Sequence, residues 1–172
     1  NRVAFDIIGA NCRVPDLLLG DLRAMAGAAK IGAERCQDFL VDHKMDDLDT
    51  LSHTILTRSE AFMRQQIHDL PDGSHEYELD IDGYIEKVHL HVKVDVRGDT
   101  ISVDYTGTSP QSRYGAINVP FSSTLATSMY PFKCALAPAM PNNEGLFRPI
   151  SVSAPPGSIL NAAFPAAVKA RA

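Results

Sequence analysis

The sequence has few cysteines, no long hydrophobic run and no excess of positive charge. Its three cysteines include no C-x-x-C pair, so they form no disulfide framework, and a reducing compartment is the simplest interpretation. No apolar run approaches the roughly 20 residues of a membrane-spanning helix. Asp and Glu number 21 against 16 Lys and Arg, a formal charge of −5, which argues against nucleic-acid binding. We therefore expect a cytoplasmic protein with neither a membrane nor a nucleic-acid partner.

Several catalytic motifs are also absent. There is no Walker A loop, no G-x-G-x-x-G, no H-E-x-x-H and no G-x-S-x-G, so the chain carries no recognisable ATP or dinucleotide site. Hydrophobic residues make up 45% and charged residues 22% of the chain. These fractions are typical of a globular domain and exclude a disordered one.

The first 71 residues show helical periodicity. Apolar residues recur at steps of three and four over residues 22–40 and again over 48–70, which predicts two amphipathic helices in a hairpin. Gly27 and Gly32 interrupt the first stripe and predict either close packing or a break there. The sequence Pro71-Asp72-Gly73 ends the second helix. The expected N-caps are Asp16 or Asp21 for the first helix and Asp47 or Asp49 for the second.

Residues 72–172 change to strand periodicity. Apolar and polar residues alternate over residues 88–96 and 101–105 around a turn at Gly98, which predicts a β-hairpin. A third strand is expected over residues 76–81. The rest predicts a helix over residues 122–136 capped by Ser122 or Ser123, polar loops over 106–120 and 138–149, and a short strand over 150–152.

The predicted fold class is therefore α+β, with a helical hairpin over 1–71 followed by an antiparallel hairpin or small sheet, a further helix and long polar loops over 72–172. The chain begins with Asn1 rather than Met, and Ala166–Ala172 has the composition of a helix beginning. We expect both segments to belong to one larger domain that extends beyond both ends of the chain.

Two histidines stand on one side of a predicted strand. His89 and His91 could together bind a metal, but the sequence offers no nearby third ligand beyond Asp95. A solvated polar face is the favoured interpretation, and we predict no metal site. None of the cysteines has a His partner in a local motif, and Cys36 lies on an apolar stripe, where a free cysteine acts as a small hydrophobe.

The segment after the predicted strand at residues 101–105 is rich in hydroxyl groups. Asp104 ends the strand, and Thr106, Thr108 and Ser109 follow around Gly107. Such a loop can hold an oxyanion or a phosphorylated group. It can also be an ordinary turn whose side chains bond their own backbone, and composition alone favours the turn.

A second polar loop has a similar character. Asn142, Asn143 and Glu144 precede Gly145, and Arg148 follows. Arg148 could bind a carboxylate or phosphate through two hydrogen bonds, or it could pair with Glu144. Asn and Gly also suit a turn that binds nothing, and this interpretation is again favoured.

At these residues the chain resembles the hydantoinase B/oxoprolinase family, over nearly its whole length. Ala162 departs from the family's pattern, because a proline often follows the preceding asparagine there. The matching blocks occur in the family's order: Arg13-Val14-Pro15 with Gly20-Asp21-Leu22-Arg23-Ala24; Leu70-Pro71-Asp72-Gly73 with Asp80-Ile81-Asp82-Gly83; Val103-Asp104-Tyr105-Thr106-Gly107-Thr108-Ser109-Pro110-Gln111 with Gly115, Asn118 and Pro120; Asn142-Asn143-Glu144-Gly145; Arg148-Pro149-Ile150; Pro156-Gly157-Ser158-Ile159-Leu160-Asn161; and Pro165-Ala166-Ala167-Val168.

The resemblance implies the catalytic B-type component of an ATP-dependent cyclic amidohydrolase of the hydantoinase or 5-oxoprolinase type. A partner subunit of the hydantoinase A type would bind ATP and Mg and phosphorylate the small cyclic amide. The family's divalent metal would lie N-terminal to the part covered here, so this portion would bind no cofactor and would be inactive alone. The alternatives are a part of an acetone-type carboxylase large subunit and a mainly structural region at the subunit interface.

The catalytic interpretation assigns roles to residues within the matching blocks, and the structural interpretation instead expects an exposed apolar patch. The expected catalytic residues are Asp104, Thr106, Ser109 and Asn118, and the expected substrate-binding residues are Thr108, Gln111, Asn142, Asn143 and Arg148.

Overall fold

The computed structural model describes residues 2–168. The chain divides into two compact units, Asn1–Leu51 and Ser52–Ala172. Residues 166–168 are not helical, and the rest of the helix expected at 166–172 lies outside the described residues. In chain order the elements are α1 (Arg2–Ala10), α2 (Pro15–Asp42), α3 (Asp49–His68), β1 (Gly73–Asp82), β2 (Lys87–Arg97), β3 (Thr100–Asp104), α4 (Phe121–Leu136), α5 (Glu144–Phe147) and β4 (Ile150–Ser153).

The first unit is built from α1 and α2. Helix α1 was not predicted, and the guanidinium of Arg23 in α2 stacks over its Phe5 ring at 5.5 Å from the centroid. Helix α2 begins after Val14 with no side-chain cap bond, so the expected cap at Asp16 or Asp21 was wrong. It runs unbroken through Gly27 and Gly32, and neither glycine has a neighbour within 4 Å of an added Cβ. Among the described residues, therefore, neither close packing nor a break explains these glycines.

Helix α3 begins at a cap that the sequence indicated. The backbone N–H of Asp49 donates to Asp47 Oδ1 over 2.9 Å. Its buried residues are Ser59, Met63 and Ile67, at steps of four. The predicted apolar stripe of this helix only partly matches its buried residues, because Ile55 belongs to the stripe and is 46% exposed. The division of the chain at residue 71 stays a prediction.

The sheet has the order β1-β2-β3-β4. Strands β1, β2 and β3 are antiparallel neighbours, with Leu79 opposite Leu90 and Val94 opposite Val103. Gly98 has a φ of +59° at the predicted hairpin tip. Strand β4 pairs parallel to β3, because α4 lies between them and returns the chain in the same direction. The α+β class is confirmed, and the sheet is mixed rather than wholly antiparallel.

The core of the second unit lies between α3, the sheet and the segments around α4 and α5. It contains Met63, Ile67, Val96, Ile101, Val103, Ala137, Leu146 and Ile150. Helix α4 follows Pro120 with no side-chain cap bond, so the expected cap at Ser122 or Ser123 was wrong. Helix α5 lies within a predicted loop, and a Cβ added at Gly145 would overlap the Leu56 backbone. No described helix is long and apolar enough to cross a bilayer.

Candidate functional site

Asp104 stands at the end of β3 and accepts three hydrogen bonds on one carboxylate oxygen. Its Oδ1 accepts from Thr106 Oγ1 at 2.8 Å, from Thr106 N–H at 3.1 Å and from Ser153 Oγ at 2.9 Å. Burial raises the pKa of Asp104, but these hydrogen bonds and nearby His91 outweigh it, and the pKa lies below its usual value. The group is therefore ionised at neutral pH, with Oδ2 outside these bonds.

The hydroxyl-rich loop after Asp104 folds back onto β2. Gly107 turns the chain with a φ of +101°, and an added Cβ there would lie 3.3 Å from the His91 ring. The Thr108 hydroxyl accepts from the His91 N–H and donates to the His91 carbonyl, at 3.1 Å each. Ser109 Oγ accepts from the His89 N–H at 2.9 Å. Two of the three loop hydroxyls thus continue the backbone pairing of the sheet.

The segment beyond the loop is held by two predicted site residues. Buried Asn118 accepts from Ser112 N–H at 2.7 Å and donates to Ser112 O at 2.9 Å, which closes a loop of the backbone. Gln111 accepts from the Ala163 N–H at 2.7 Å. These contacts fix the backbone, and they occupy polar atoms of a predicted catalytic residue, Asn118, and of a predicted substrate-binding residue, Gln111.

The second polar loop sits against α3. Asn143 caps α5 by accepting from Leu146 N–H at 3.4 Å, and it donates to Ser59 Oγ at 2.9 Å. Arg148 pairs with Glu60 at 3.3 Å and with Glu144 at 3.5 Å. The pairing with Glu144 is the one that the sequence offered as the alternative to ligand binding.

Two surface grooves are lined by three of the predicted site residues, Ser109, Gln111 and Asn142. The first, which we call the arginine groove, has a volume of about 450 Å³ and is lined by Glu86, Lys87, Val88, Ser109, Pro110, Gln111, Ser112, Arg113 and Tyr114. The second, the α4 groove, has a volume of about 420 Å³ and is lined by Ser122, Leu125, Ala126, Met129, Tyr130, Lys133, Asn142, Glu144 and Phe147. They share no lining residue. The structure thus separates Ser109 and Gln111 from Asn142, and Asp104 and Thr106 line neither groove.

Sequence reasoning missed the two cations of the arginine groove, Lys87 and Arg113. Neither belongs to a motif, and nothing local in the sequence brings the end of the β1–β2 turn beside the segment after Ser109. The alternation of β2 places His91 on the same face of the sheet as Asp104. That pattern could have indicated from the sequence that His91 lies near Asp104.

The histidines of β2 have separate surroundings. His89 Nδ1 lies 2.8 Å from Asp80 Oδ1, whereas His91 Nδ1 is buried without a hydrogen-bond partner. Across residues 2–168, no three His, Cys, Asp or Glu side chains cluster in a way that could hold a metal ion.

Comparison with known proteins gives a consistent result. The family model described as Hydantoinase B/oxoprolinase matches residues 1–172. A Pseudomonas sp. (strain NS671) protein, named as the B-type component of a D-/L-hydantoinase, is 36% identical over 99% of this chain and 31% of its own length. A 5-oxoprolinase of Dictyostelium discoideum is 27% identical over 87% of this chain and 12% of its own length.

A solved structure shows the same fold. The crystal structure of the ATP-dependent caprolactamase from Pseudomonas jessenii superposes with a TM-score of 0.82 at 27% identity, covering 96% of this chain and 29% of that chain. The chain thus spans about a third or less of the length of these relatives.

Proposed function

The chain belongs to the hydantoinase B/oxoprolinase family, and we propose that it forms part of the B-type component of an ATP-dependent enzyme that opens cyclic amides. The observation that carries this proposal is the match of the family model over residues 1–172. The similarity to an ATP-dependent caprolactamase supports it, as do relatives named as a hydantoinase component and a 5-oxoprolinase.

The proposed reaction uses ATP to overcome the stability of the amide. A partner subunit of the hydantoinase A type would bind ATP and Mg and phosphorylate the carbonyl oxygen of the cyclic amide. Phosphorylation makes the carbonyl carbon electrophilic and turns its oxygen into a leaving group. The subunit that contains this chain would then direct water to that carbon. The resulting tetrahedral carbon would break its C–N bond, which opens the ring and leaves an acyl phosphate with a protonated amine. A second water would attack the acyl carbon and release phosphate together with the former carbonyl oxygen.

The described residues do not fit the family's divalent metal, because no three metal-ligating side chains cluster among them. We therefore derive no step through that metal.

Asp104 is the residue of this chain that we propose to act in the reaction. Its carboxylate is ionised at neutral pH and fixed through Oδ1 by Thr106 and Ser153. A lowered pKa makes it a weak base, because proton transfer is most efficient when the pKa lies near the operating pH. Asp104 is therefore suited to orienting water or a polar group of the substrate through Oδ2.

The experiment is a coupled assay of the full-length subunit with its partner. ATP hydrolysis and ring opening are measured with 5-oxoproline, hydantoin, N-methylhydantoin and caprolactam, and with acetone plus bicarbonate as the comparison. ATP hydrolysis that depends on a cyclic amide and accompanies its ring opening supports the proposal. Turnover with acetone and bicarbonate alone would overturn it in favour of a carboxylase.

A further inference from the structure

The arginine groove contains two cations that form no ion pair with any described residue. The ion pairs found across residues 2–168 involve the cationic side chains of Arg2, Lys30, Arg64, His68, His89, Lys93 and Arg148. Lys87 and Arg113 are absent from this set, and both line the groove together with one acid, Glu86. The groove therefore has an excess of positive charge in a chain whose formal charge is −5.

The wall that carries Arg113 is fixed by backbone and side-chain bonds. Ser109 N–H donates to His89 O at 2.9 Å, and Gln111 N–H donates to Gly157 O at 2.8 Å. Asn118 then closes the loop from Ser112 through two further bonds of 2.7 and 2.9 Å. A site held by such bonds loses little conformational entropy when it binds a ligand.

The two segments that contribute the cations also contact each other outside the lining of the groove. Gly115 has a φ of +71°, and a Cβ added there would overlap the ring of Tyr84. Tyr84 lies in the β1–β2 turn, three residues before Lys87, which is the first residue of β2. Gly115 lies two residues after Arg113. The backbone segments that carry the two cations therefore lie against each other.

From this geometry we propose that the arginine groove binds a small oxyanion, with Arg113 and Lys87 as its cationic contacts. A guanidinium presents paired N–H donors that match the oxygens of a carboxylate or phosphate, and Ser109 lines the same groove. The Ser112 hydroxyl is already engaged with the backbone of Tyr114. The volume of about 450 Å³ falls within the range of small-molecule sites.

The identity of the natural ligand is inferred from the proposed function. Opening a cyclic amide produces a carboxylate, and activation by ATP produces a phosphorylated intermediate. Both are small oxyanions, so the groove would hold the charged group of the product or of the intermediate. Binding itself can be measured without any turnover.

The test is protection of Arg113 from phenylglyoxal in the full-length subunit, with each arginine followed by mass spectrometry. Inorganic phosphate is one probe and acetate the other, and ionic strength is held constant because exposed charges are screened by salt. Arg58, an exposed arginine on α3 outside the groove, is the control within the same sample. At ten times the dissociation constant of a bound probe, modification of Arg113 should slow about tenfold while that of Arg58 is unchanged.

Protection of Arg113 by phosphate alone supports a phosphorylated ligand, and protection by acetate alone supports a carboxylate. The variant Lys87→Gln should raise the probe concentration needed for half-protection about tenfold, whereas the matched variant Arg58→Gln should leave it unchanged. Equal effects of both probes on Arg113 and Arg58, or no effect on either, would overturn the proposal. Neither result depends on activity, so a failed coupled assay would leave this test intact.

Discussion

The Thr108 hydroxyl bridges the backbone of His91, accepting from its N–H and donating to its carbonyl at 3.1 Å each. The two residues are 17 positions apart, and the bridge carries the pairing of β2 past the end of β3. It also places Gly107 against the His91 ring. The composition of this loop suits an oxyanion site, but its Thr108 hydroxyl is already used in hydrogen bonds that hold the loop to β2.

Replacing Thr108 with valine should destabilise the protein. Valine has the same shape, but it leaves the N–H and carbonyl of His91 without this partner at a position that is 8% exposed. The expected loss is about 1–3 kcal/mol, measured as a fall in the thermal unfolding midpoint. The control is Thr57→Val on an exposed part of α3, which should change the midpoint far less. Equal midpoints for the two variants would show that the bridge contributes nothing.

Gly145 and Gly20 should respond oppositely to alanine. A Cβ at Gly145 would overlap the Leu56 backbone, whereas Gly20 in α2 has no neighbour within 4 Å of an added Cβ. Gly145→Ala should therefore destabilise the protein by about 1–3 kcal/mol, and Gly20→Ala should stabilise it by up to about 1 kcal/mol. Thermal unfolding of both variants checks the pair, and a neutral Gly145→Ala would contradict the close packing of α5 on α3.

Stability should depend on pH through Glu60. Hydrogen bonds from Arg64 and then from Arg148 lower the pKa of this carboxyl below its ordinary 4.5. A lowered folded-state pKa stabilises the protein fully above 4.5 and progressively less as the pH falls through the folded-state pKa.

The variant Glu60→Gln cannot be protonated in this way. The difference between the thermal midpoints of wild type and Glu60→Gln should be largest at pH 7 and should shrink as the pH is lowered from 5 towards 3. Exposed Glu78→Gln on β1 is the matched control. A difference that stays constant over this range would contradict the assigned pairing.

Asp104→Asn should reduce turnover of the full-length enzyme with its partner while leaving it folded. The amide keeps an oxygen that can accept from Thr106 and Ser153, but it loses the negative charge. Loss of an orienting group costs about 100-fold in rate, whereas Asp82→Asn at the end of β1 should leave turnover near that of wild type. Full activity of Asp104→Asn would remove Asp104 from the proposed mechanism.

The parts of the fold that were predicted correctly depend on local patterns. Alternation in β2 and β3, and the turn at Gly98, follow from residues that are close in sequence. Strand β4 pairs parallel to β3 because α4 lies between them and returns the chain in the same direction. No pattern among neighbouring residues in the sequence indicates this pairing. Helix α1 was missed altogether, because the first predicted stripe begins at residue 22 and no element was assigned to Arg2–Ala10.

In the polar loops, too, local sequence patterns do not identify the partners of the side chains. Composition favoured a turn whose side chains bond their own backbone, whereas the hydroxyls of Thr108 and Ser109 bond the backbone of β2, 17 and 20 residues away. Arg148 likewise pairs with Glu60, 88 residues away. The sequence indicates which residues are polar and which glycines allow a turn. The hydrogen-bond and ion-pair partners of these residues depend on how distant parts of the chain pack together.

The path of the carbonyl oxygen tests the proposed function most directly. A cyclic amide labelled with ¹⁸O at its carbonyl is turned over by the full-length subunit, its partner and ATP, and the inorganic phosphate is analysed by mass spectrometry. If the carbonyl oxygen is phosphorylated, the first water opens the ring to an acyl phosphate, and a second water attacks the acyl carbon. The labelled oxygen then leaves with phosphate, so each ring opened should yield one ¹⁸O-labelled phosphate. Ring opening that leaves all of the label in the carboxylate product and none in phosphate would contradict this account.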